Sequence, residues 1–328
     1  MEKFNKKYGE IITTKNLLLA WEEFLVGKKK RNDVAAFQGR LMNNIFILYY
    51  DLKNKTYQHG SYQAFNISDP KPRNIHKATV RDRLLHHLLY QETYQYFDQH
   101  FISDSYSCRL NKGTHRALRR FAEFAGQVSK NDQRTVWVLK CDIRKFFASI
   151  DHRILKNILL KYIADQDLLW LFGRVIDSFN TIGQIGVGLP LGNLTSQLLV
   201  NVYMNEFDQF VKRDLKIKYY LRYADDFVFF SENKNNLIAL RPKLEKFLTE
   251  HLRLSLHPQK TFFKTLASGV DFLGWIHFAE HRVLRTATKS RMLKRIKQNN
   301  EPATKAAYAA MLKHGNAYKI SKRAGLAE

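Results

Sequence analysis

Three aspartates combine the residue type and the placement that a two-metal site requires. Asp142 lies near the end of segment 136–143, VWVLKCDI, whose alternating and β-branched residues predict a strand. The segments KYYLRYA and DFVFFSE predict a tight hairpin with Ala224, Asp225 and Asp226 at its tip. Phosphoryl transfer to a growing chain uses two divalent ions about 4 Å apart, and Mg²⁺ prefers oxygen ligands. If the strands are neighbours, the three carboxylates would form such a site.

The paired aspartates also have a simpler interpretation. Aspartate is a favoured turn residue, so Asp225 and Asp226 could form an ordinary polar turn. Adjacent carboxylates repel each other, however, and the flanking aromatic residues favour burial of this hairpin. Residue type and spacing alone leave both interpretations open.

The charge of the chain points to a polyanionic partner. Its 328 residues include 54 Lys and Arg against 30 Asp and Glu, a net charge of +24. Nucleic acid is the favoured partner, and an anionic membrane surface is the alternative. Hydrophobic residues make up 45% of the chain, which excludes a disordered or low-complexity protein and predicts a packed core.

Cysteine content and the N-terminus predict the compartment. Cys108 and Cys141 are too few for a disulfide framework or a four-ligand zinc site and suit a reducing cytosol. The N-terminus lacks the apolar core of a signal peptide, and no stretch approaches about 18 uninterrupted apolar residues. We therefore expect a cytoplasmic protein that does not span a membrane.

Hydrophobic periodicity predicts the elements that hold the candidate residues. Helices are expected over 15–50, from Arg81 onward, after Asp142 beginning at FFASIDH, along the apolar run from Leu194 to Phe207, and over 236–252. A loop or a short hairpin is expected before Arg81, and strand-like segments are expected at LSLHPQKTFFK and around 270–278. The last 48 residues predict short helices, and their one-sided set of Lys and Arg favours nucleic-acid contact over a merely solvated surface.

Several motifs together resemble reverse transcriptases. Tyr223-Ala224-Asp225-Asp226 resembles the YxDD box of that family, and CDIRKFFASIDH resembles its strand-to-helix aspartate motif. Further blocks in family order are KPRNIHKATVRDRLLHHLL, SYSCRLNKGTHRAL, GLPLGNLTSQ, LHPQKT and VDFLGW, so the resemblance runs from about Lys71 to Trp275. It implies an α+β right-hand polymerase with fingers, a palm of antiparallel sheet backed by helices, and a short helical thumb.

The resemblance also implies a division of the chain into three parts. Residues 1–61 would be a helical N-terminal extension, 62–280 the fingers and palm, and 281–328 a short basic helical thumb. The thumb is expected to contact nucleic acid through Arg291, Lys294 and Arg295.

Catalytic roles follow from the same resemblance. Asp142, Asp225 and Asp226 would hold two Mg²⁺ ions, for which Mn²⁺ could substitute, with the backbone carbonyl of Ile143 as a further metal contact. Lys260 would protonate the pyrophosphate leaving group; an ordinary surface lysine is the alternative.

Other residues are expected to bind the nucleotide or the primer. Phe147 would be the steric gate that rejects a ribose 2′-hydroxyl, with Phe146 in the core; without the motif, both phenylalanines would be assigned to the core. The remaining nucleotide-binding candidates are Arg73, Arg109, Leu191, Gly192 and Gln197, with Arg81 and Lys112 as further basic candidates that could also be solvated charges. Asn193 could cap the helix that follows. FLGW, comprising Phe272, Leu273, Gly274 and Trp275, would be the primer grip.

One block indicates a subtype. Residues 191–197, LGNLTSQ, are similar to those of diversity-generating retroelement reverse transcriptases, whereas many bacterial relatives have Gln-Gly followed by Ser-Pro. An aliphatic Leu191 cannot make the polar contacts of the glutamine it replaces, which implies low fidelity opposite template adenines. This subtype implies a template-repeat RNA, a DNA or RNA primer, deoxynucleoside triphosphates, a basic pentameric accessory protein, and a bacterial, archaeal or phage-encoded enzyme.

Three alternatives are retained. The chain could be a group II intron-like or defence-associated bacterial reverse transcriptase, or a non-catalytic RNA-binding scaffold with a polymerase fold. An RNA-dependent RNA polymerase also uses palm aspartates, although Phe147 argues against ribonucleotide selection.

Overall fold

A computed structural model describes residues 2–68, 72–299 and 301–326 of the chain. Lys71, where the resemblance to the family begins, lies outside the described residues, as do the terminal residues of the predicted extension and thumb. The described residues divide into two compact units. The first is formed within Met1–Ile102, Ile143–Leu215 and Lys246–Ser255, and the second within Ser103–Asp142, Lys216–Glu245 and Leu256–Glu328. The predicted boundaries at 61/62 and 280/281 stay predictions.

Helices account for most of the described elements. They are α1 (Tyr8–Ile11), α2 (Thr14–Leu25), α3 (Asn32–Gln38), α4 (Leu41–Lys53), α5 (Val80–His100), α6 (Thr114–Ser129), α7 (His152–Tyr162), α8 (Gln166–Ile176), α9 (Leu194–Gln209), α10 (Lys234–Leu252), α11 (Thr286–Gln298), α12 (Pro302–Leu312) and α13 (Tyr318–Arg323). Short 3₁₀ turns occupy Phe146–Ser149 and Leu266–Ser268, and a π-helical turn occupies Phe210–Asp214. No helix in the described ranges is long and apolar enough to cross a membrane.

Three small antiparallel sheets contain the strands. A hairpin pairs β1 (Gln63–Ile67) with β2 (Arg73–Lys77). A four-stranded sheet has the order β4-β5-β3-β6, formed by β4 (Tyr220–Tyr223), β5 (Asp226–Ser231), β3 (Trp137–Asp142) and β6 (Phe262–Thr265). The third sheet has the order β7-β8-β9, from β7 (Val270–Phe272), β8 (Trp275–His277) and β9 (Arg282–Leu284).

Most predicted elements are confirmed, and four details are corrected. The last 48 residues, predicted as short helices, begin with strand β9, because Arg282–Leu284 pairs with β8. The helix after Asp142 begins at His152 because the Asp151 side chain accepts the amide of Ile154 as an N-cap, while Phe146–Ser149 forms a 3₁₀ turn. The strand predicted at LSLHPQKTFFK is limited to β6, since residues 258–260 form a turn at Pro258. The segment 270–278 forms a hairpin of two strands.

The first unit is built on packed helices. Helix α5 packs against α2 and α9, and α9 is buried on several sides through residues such as Leu198, Val202 and Phe207. The N-cap of α5 is Thr79, whose side chain accepts the amide of Asp82. The β1–β2 hairpin leads into this helix, as the sequence predicts.

The four-stranded sheet organises the second unit. Side chains alternate between its faces, so Val138, Lys140 and Asp142 of β3 lie on one face and Leu139 and Cys141 on the other. At one end of the first face, α6 covers the sheet through a core cluster that includes Phe121, Phe124, Val138, Leu221, Val228 and Phe230. The opposite end of that face, where β3 ends and β5 begins, carries charged side chains.

Candidate active site

The sheet places two of the predicted catalytic aspartates directly opposite each other on neighbouring strands. Asp142 is the last residue of β3 and lies opposite Asp226, the first residue of β5, in the antiparallel register. Asp226 also pairs with Tyr223 of β4. The turn between these strands is therefore Ala224 and Asp225, and the prediction that Asp226 lies at the hairpin tip is corrected by its place in the strand. Adjacency in sequence keeps Asp225 beside this pair.

Two lysines lie against these carboxylates. Lys260 Nζ donates a hydrogen bond of 3.0 Å to Oδ1 of Asp142. Lys140 Nζ lies 2.9 Å from Oδ1 of Asp226, an ion pair without hydrogen-bond geometry. Lys140 is buried and was not among the predicted site residues. Its place two residues before Asp142 on the same face of a strand is the sequence signal that could have identified it.

Burial strongly affects Asp226. Desolvation raises the pKa of its carboxyl to about 7, Lys140 opposes that rise, and the charges of Asp225 and Asp142 add to it. The contributions of both other aspartates indicate that the three carboxylates act on one another. A further cation beside Asp226 would offset the desolvation cost and the repulsion from the other carboxylates, both of which disfavour its charged form.

The carboxylate oxygens at this site fit a divalent cation whose remaining ligands are water and the phosphates of a bound substrate. Oδ1 of Asp226 is buried without a hydrogen bond, and carboxylate oxygens are the ligands that Mg²⁺ prefers. In the described part of the chain, no group of three or more His, Cys, Asp and Glu side chains could hold a metal ion by itself. Mg²⁺ commonly completes its shell with water and substrate phosphate, so a partial protein donor set is compatible with its chemistry. Ile143, the other predicted metal contact, follows Asp142 directly and has a buried side chain.

The first unit contains the predicted steric gate. Phe146 is buried, whereas Phe147 is partly exposed in the 3₁₀ turn, and the Phe147 carbonyl accepts the amide of Leu189 at 2.8 Å. This contact joins the turn to the loop that leads toward Leu191. The difference in exposure agrees with the assignment of Phe146 to the core, while the gate role of Phe147 stays a prediction.

The loop before α9 is fastened to β2. The amide of His76 donates to the carbonyl of Leu191 at 3.0 Å, and the Asn193 side-chain amide donates to the carbonyl of His76 at 2.8 Å. Asn193 occupies the N-cap position of α9 but does not cap it with its side chain, contrary to the expectation. Gly192 has φ +105°, and a Cβ there would lie 2.8 Å from Cγ2 of Ile75. The loop therefore requires glycine at this position.

The basic candidates differ in their surroundings. Arg73 is exposed at the start of β2, the strand to which the Leu191 loop is bound. Arg81 pairs with Asp51 at 2.5 Å and donates to the carbonyl of Gln58, so its guanidinium stabilises the N-terminal helices. In the second unit, Arg109 donates to the carbonyl of Ser105 at 3.0 Å. Gln197 is partly exposed in the first turn of α9, and Lys112 donates to the carbonyl of Ser103 at 2.7 Å.

The predicted primer grip is a two-residue hairpin. Phe272 pairs with Trp275, while Leu273 and Gly274 between them have φ +49° and +85°. Phe272 and Trp275 are buried in the core of the second unit, where Phe272 stacks on Phe121. At the hairpin tip, Leu273 and Gly274 are partly exposed and the two aromatic residues are buried. A primer could therefore contact the turn residues, whose position the buried aromatic residues fix.

The predicted thumb surface lies on α11. Met292 and Ile296 are buried, whereas Lys294 and Arg295 are exposed and Arg291 is partly exposed. The helix is therefore amphipathic, with one face in the apolar core and basic residues on the other. The arrangement is compatible with the predicted contact to a phosphate backbone.

Sequence comparisons place the chain among known proteins. The model of the family described as reverse transcriptase (RNA-dependent DNA polymerase) matches residues 66–277. The chain is 26% identical over 294 residues to protein YkfC of Escherichia coli K12, covering 77% of this chain and 74% of YkfC. It is 22% identical over 315 residues to the group II intron-encoded protein LtrA of Lactococcus lactis subsp. cremoris, covering 73% of this chain and 50% of LtrA. The chain thus spans about half the length of LtrA.

The fold is also shared with a solved polymerase. Apo telomerase from Candida tropicalis, truncated from its C-terminal domain, has a TM-score of 0.52 and 13% sequence identity, covering 74% of this chain and 60% of that chain. This likeness confirms the predicted α+β polymerase fold with an antiparallel palm sheet. The matched region of the family includes all three aspartates. The chain belongs to the reverse transcriptase family, the RNA-directed DNA polymerases.

Proposed function

We propose that this reverse transcriptase is the polymerase of a diversity-generating retroelement and copies a template-repeat RNA into cDNA with errors at template adenines. The observation that carries the proposal is Leu191 in the loop before α9. Its backbone is fixed by His76, but its side chain is aliphatic and offers no hydrogen bond to a base or nucleotide. A looser hold on the pairing nucleotide lowers the discrimination between correct and incorrect pairs.

The proposed catalytic side chains are those of three aspartates and one lysine. Asp142, Asp225 and Asp226 bind two Mg²⁺ ions, or Mn²⁺, with a contact from the Ile143 carbonyl. When bound, these ions lower the pKa of the primer hydroxyl and stabilise charge on the phosphates. Lys260, whose Nζ lies 3.0 Å from Oδ1 of Asp142, donates a proton to the pyrophosphate as that group leaves.

The remaining candidates are assigned to nucleotide and nucleic-acid binding. Arg73 and Arg109 bind the triphosphate, since a guanidinium offers several donors in a fixed fork. Phe147 excludes ribonucleotides, and Leu191, Gly192 and Gln197 line the nucleotide and template base. The hairpin Phe272–Trp275 supports the primer terminus through its turn. Arg291, Lys294 and Arg295 bind the primer–template backbone.

The proposed partners are a structured template RNA, a DNA or RNA primer, deoxynucleoside triphosphates and a basic pentameric accessory protein. The net charge of +24 supports binding of the nucleic acids. A location in the cytoplasm of a bacterium or archaeon, including a phage-infected cell, is part of this proposal.

A group II intron-like or defence-associated reverse transcriptase is the second candidate. Its support is the similarity to LtrA, which is a group II intron-encoded protein. The two candidates make different predictions for fidelity, because an intron-type enzyme is expected to copy adenines accurately.

The deciding experiment is sequencing of cDNA made on a defined heteropolymeric RNA with Mg²⁺ and deoxynucleotides. The protein would be compared with Leu191→Gln, alone and with any accessory protein encoded by a neighbouring gene. Errors concentrated at template adenines, reduced by Leu191→Gln, support the proposal. Accurate cDNA favours the second candidate, and no synthesis despite tight RNA binding favours the non-catalytic scaffold.

A further inference from the structure

Arg222 is a fully buried arginine in the strand that precedes the catalytic turn. It has no exposed surface and is one of the largest fully buried side chains among the described residues. Its Nη1 donates to the carbonyl of Ala224 at 3.1 Å, and its Nη2 donates to Oγ of Ser105 at 3.1 Å. A buried guanidinium requires satisfied donors, so these hydrogen bonds define the place of the side chain.

The first hydrogen bond fixes the turn that carries the aspartates. Ala224 has φ +56°, a left-handed conformation that residues with a Cβ disfavour. Its carbonyl belongs to the same planar peptide group as the amide of Asp225. Arg222 therefore sets the orientation of the peptide from which Asp225, and then Asp226, continue.

The second hydrogen bond links the turn to the segment before α6. The amide of Arg222 donates to the carbonyl of Asp104, and its carbonyl accepts the amide of Tyr106, so this segment runs alongside β4. Ser105 is buried, and its own carbonyl accepts Nη1 of Arg109. Ser105 is thus the common neighbour of Arg222 and of the predicted triphosphate-binding Arg109.

We propose that Arg222 is a positioning residue of the active site. It holds the strained Ala224–Asp225 peptide and ties it, through Ser105, to the segment that carries Arg109. Arg222 is too deeply buried to touch substrate and acts through its neighbours. The inference rests on the proposed catalytic roles of Asp225 and Asp226.

The test uses Arg222→Met, because methionine is unbranched and apolar, fills part of the space of the arginine and has no hydrogen-bond donors. We expect kcat for primer extension to fall by about 10²-fold, with the KM for primer–template unchanged, because a small misplacement of a catalytic group has an effect of that size. Glycine adopts left-handed φ without steric cost, so Ala224→Gly in the Arg222→Met background should restore at least part of that loss, about tenfold. If Arg222 only stabilised the fold, Ala224→Gly would not restore the kcat lost in Arg222→Met.

A second readout does not depend on activity. Without substrate, Arg222→Met should speed amide hydrogen exchange in peptides covering 104–109 and 223–226 and leave exchange in α7 unchanged. Arg83→Met is the matched control, because Arg83 is a part-buried arginine that pairs with Asp33 in the first unit. It should alter neither kcat nor exchange at 223–226.

Further variants keep the test decisive if Arg222→Met does not fold. Arg222→Lys retains a donor and the charge and should lose less activity than Arg222→Met. Ser105→Ala removes only the acceptor of Arg222 Nη2 and keeps the backbone carbonyl that binds Arg109, so kcat should fall by less than in Arg222→Met and the KM for deoxynucleotides should not change. The proposal is overturned if Arg222→Lys and Arg222→Met keep kcat within twofold. It is also overturned if activity falls only in proportion to folded protein and Ala224→Gly restores nothing. Activity retained by Asp225→Ala would refute the proposed catalytic role itself and identify that separate failure.

Discussion

Asp142 and Asp226 are direct cross-strand partners at the end of β3 and the start of β5. Each carboxylate also lies against a lysine, Lys260 for Asp142 and Lys140 for Asp226. Two acidic groups are therefore held at neighbouring positions with compensating positive charge. In this arrangement the sheet register places the two aspartates directly opposite each other.

The first prediction concerns the turn carboxylate. Asp225→Ala should lower primer extension by at least about 10³-fold, because loss of the proposed metal ligand would remove several kcal/mol of transition-state stabilisation. Affinity for primer–template should remain, since the basic surfaces are untouched. Extension assays and a gel-shift titration measure the two effects. Asp177→Ala, an exposed aspartate paired with Lys156, is the control and should retain full activity.

The second prediction concerns sugar selection. Phe147→Val should lower discrimination against ribonucleotides by about 10²-fold, equivalent to about 2.7 kcal/mol, because the smaller side chain leaves room for a 2′-hydroxyl. Single-nucleotide kinetics with dGTP and GTP provide the ratio of kcat/KM values. Phe46→Val, at an exposed position on α4, should leave the ratio unchanged. Unaltered selectivity in Phe147→Val would assign Phe147 to the core alone.

The third prediction tests the loop before α9. Gly192→Ala should destabilise the protein by about 1–3 kcal/mol, because alanine is strained at φ +105° and its Cβ would meet Ile75. Urea unfolding measures the change. Gly126 lies in α6 with nothing within 4 Å of an added Cβ, so Gly126→Ala should stabilise the protein by up to about 1 kcal/mol. Equal effects of the two substitutions would contradict this account of the loop.

The fourth prediction concerns pH. Burial lowers the pKa of His277 to about 3, so the unfolded chain binds a proton here below pH 6.5 while the folded protein does not. Stability contributed by the neutral imidazole is present above pH 6.5 and is lost as pH falls, by up to about 2 kcal/mol at pH 5. His277→Phe should remove this part of the acid destabilisation.

Unfolding free energies at pH 7.5 and pH 5 measure that difference. The exposed His281 provides the matched control, and His281→Phe should leave the pH dependence unchanged. If wild type and His277→Phe lose the same stability on acidification, His277 does not carry the effect.

Local sequence patterns predict the strands of the site well. The β-branched alternation before Asp142 and the two aromatic segments around Asp225 correspond to β3, β4 and β5, because strand periodicity and a short connection are local properties. The helix start at His152 depends on the Asp151 cap, which competes with the apolar run that suggested an earlier start.

Contacts between distant segments could not be predicted in this way. Lys140 reaches Asp226 only because β3 pairs with β5, and Arg222 reaches Ser105 only because β4 runs beside 104–106. The place of Lys140 two residues before Asp142 predicts that the two side chains share a face of β3, but it predicts neither the burial of Lys140 nor its pairing with Asp226. The tertiary pairing decides which basic residues support the site and which remain at the surface.

The alternation of side chains along β3 makes the chain sensitive to changes of length. A substitution in this strand alters one contact, but a single-residue deletion between Val138 and Asp142 shifts each following side chain to the opposite face. It would move Asp142 to the position that Cys141 now occupies, on the opposite face, or displace the strand from both β5 and β6. Natural variation in this segment is therefore expected to replace residues and to exclude insertions and deletions.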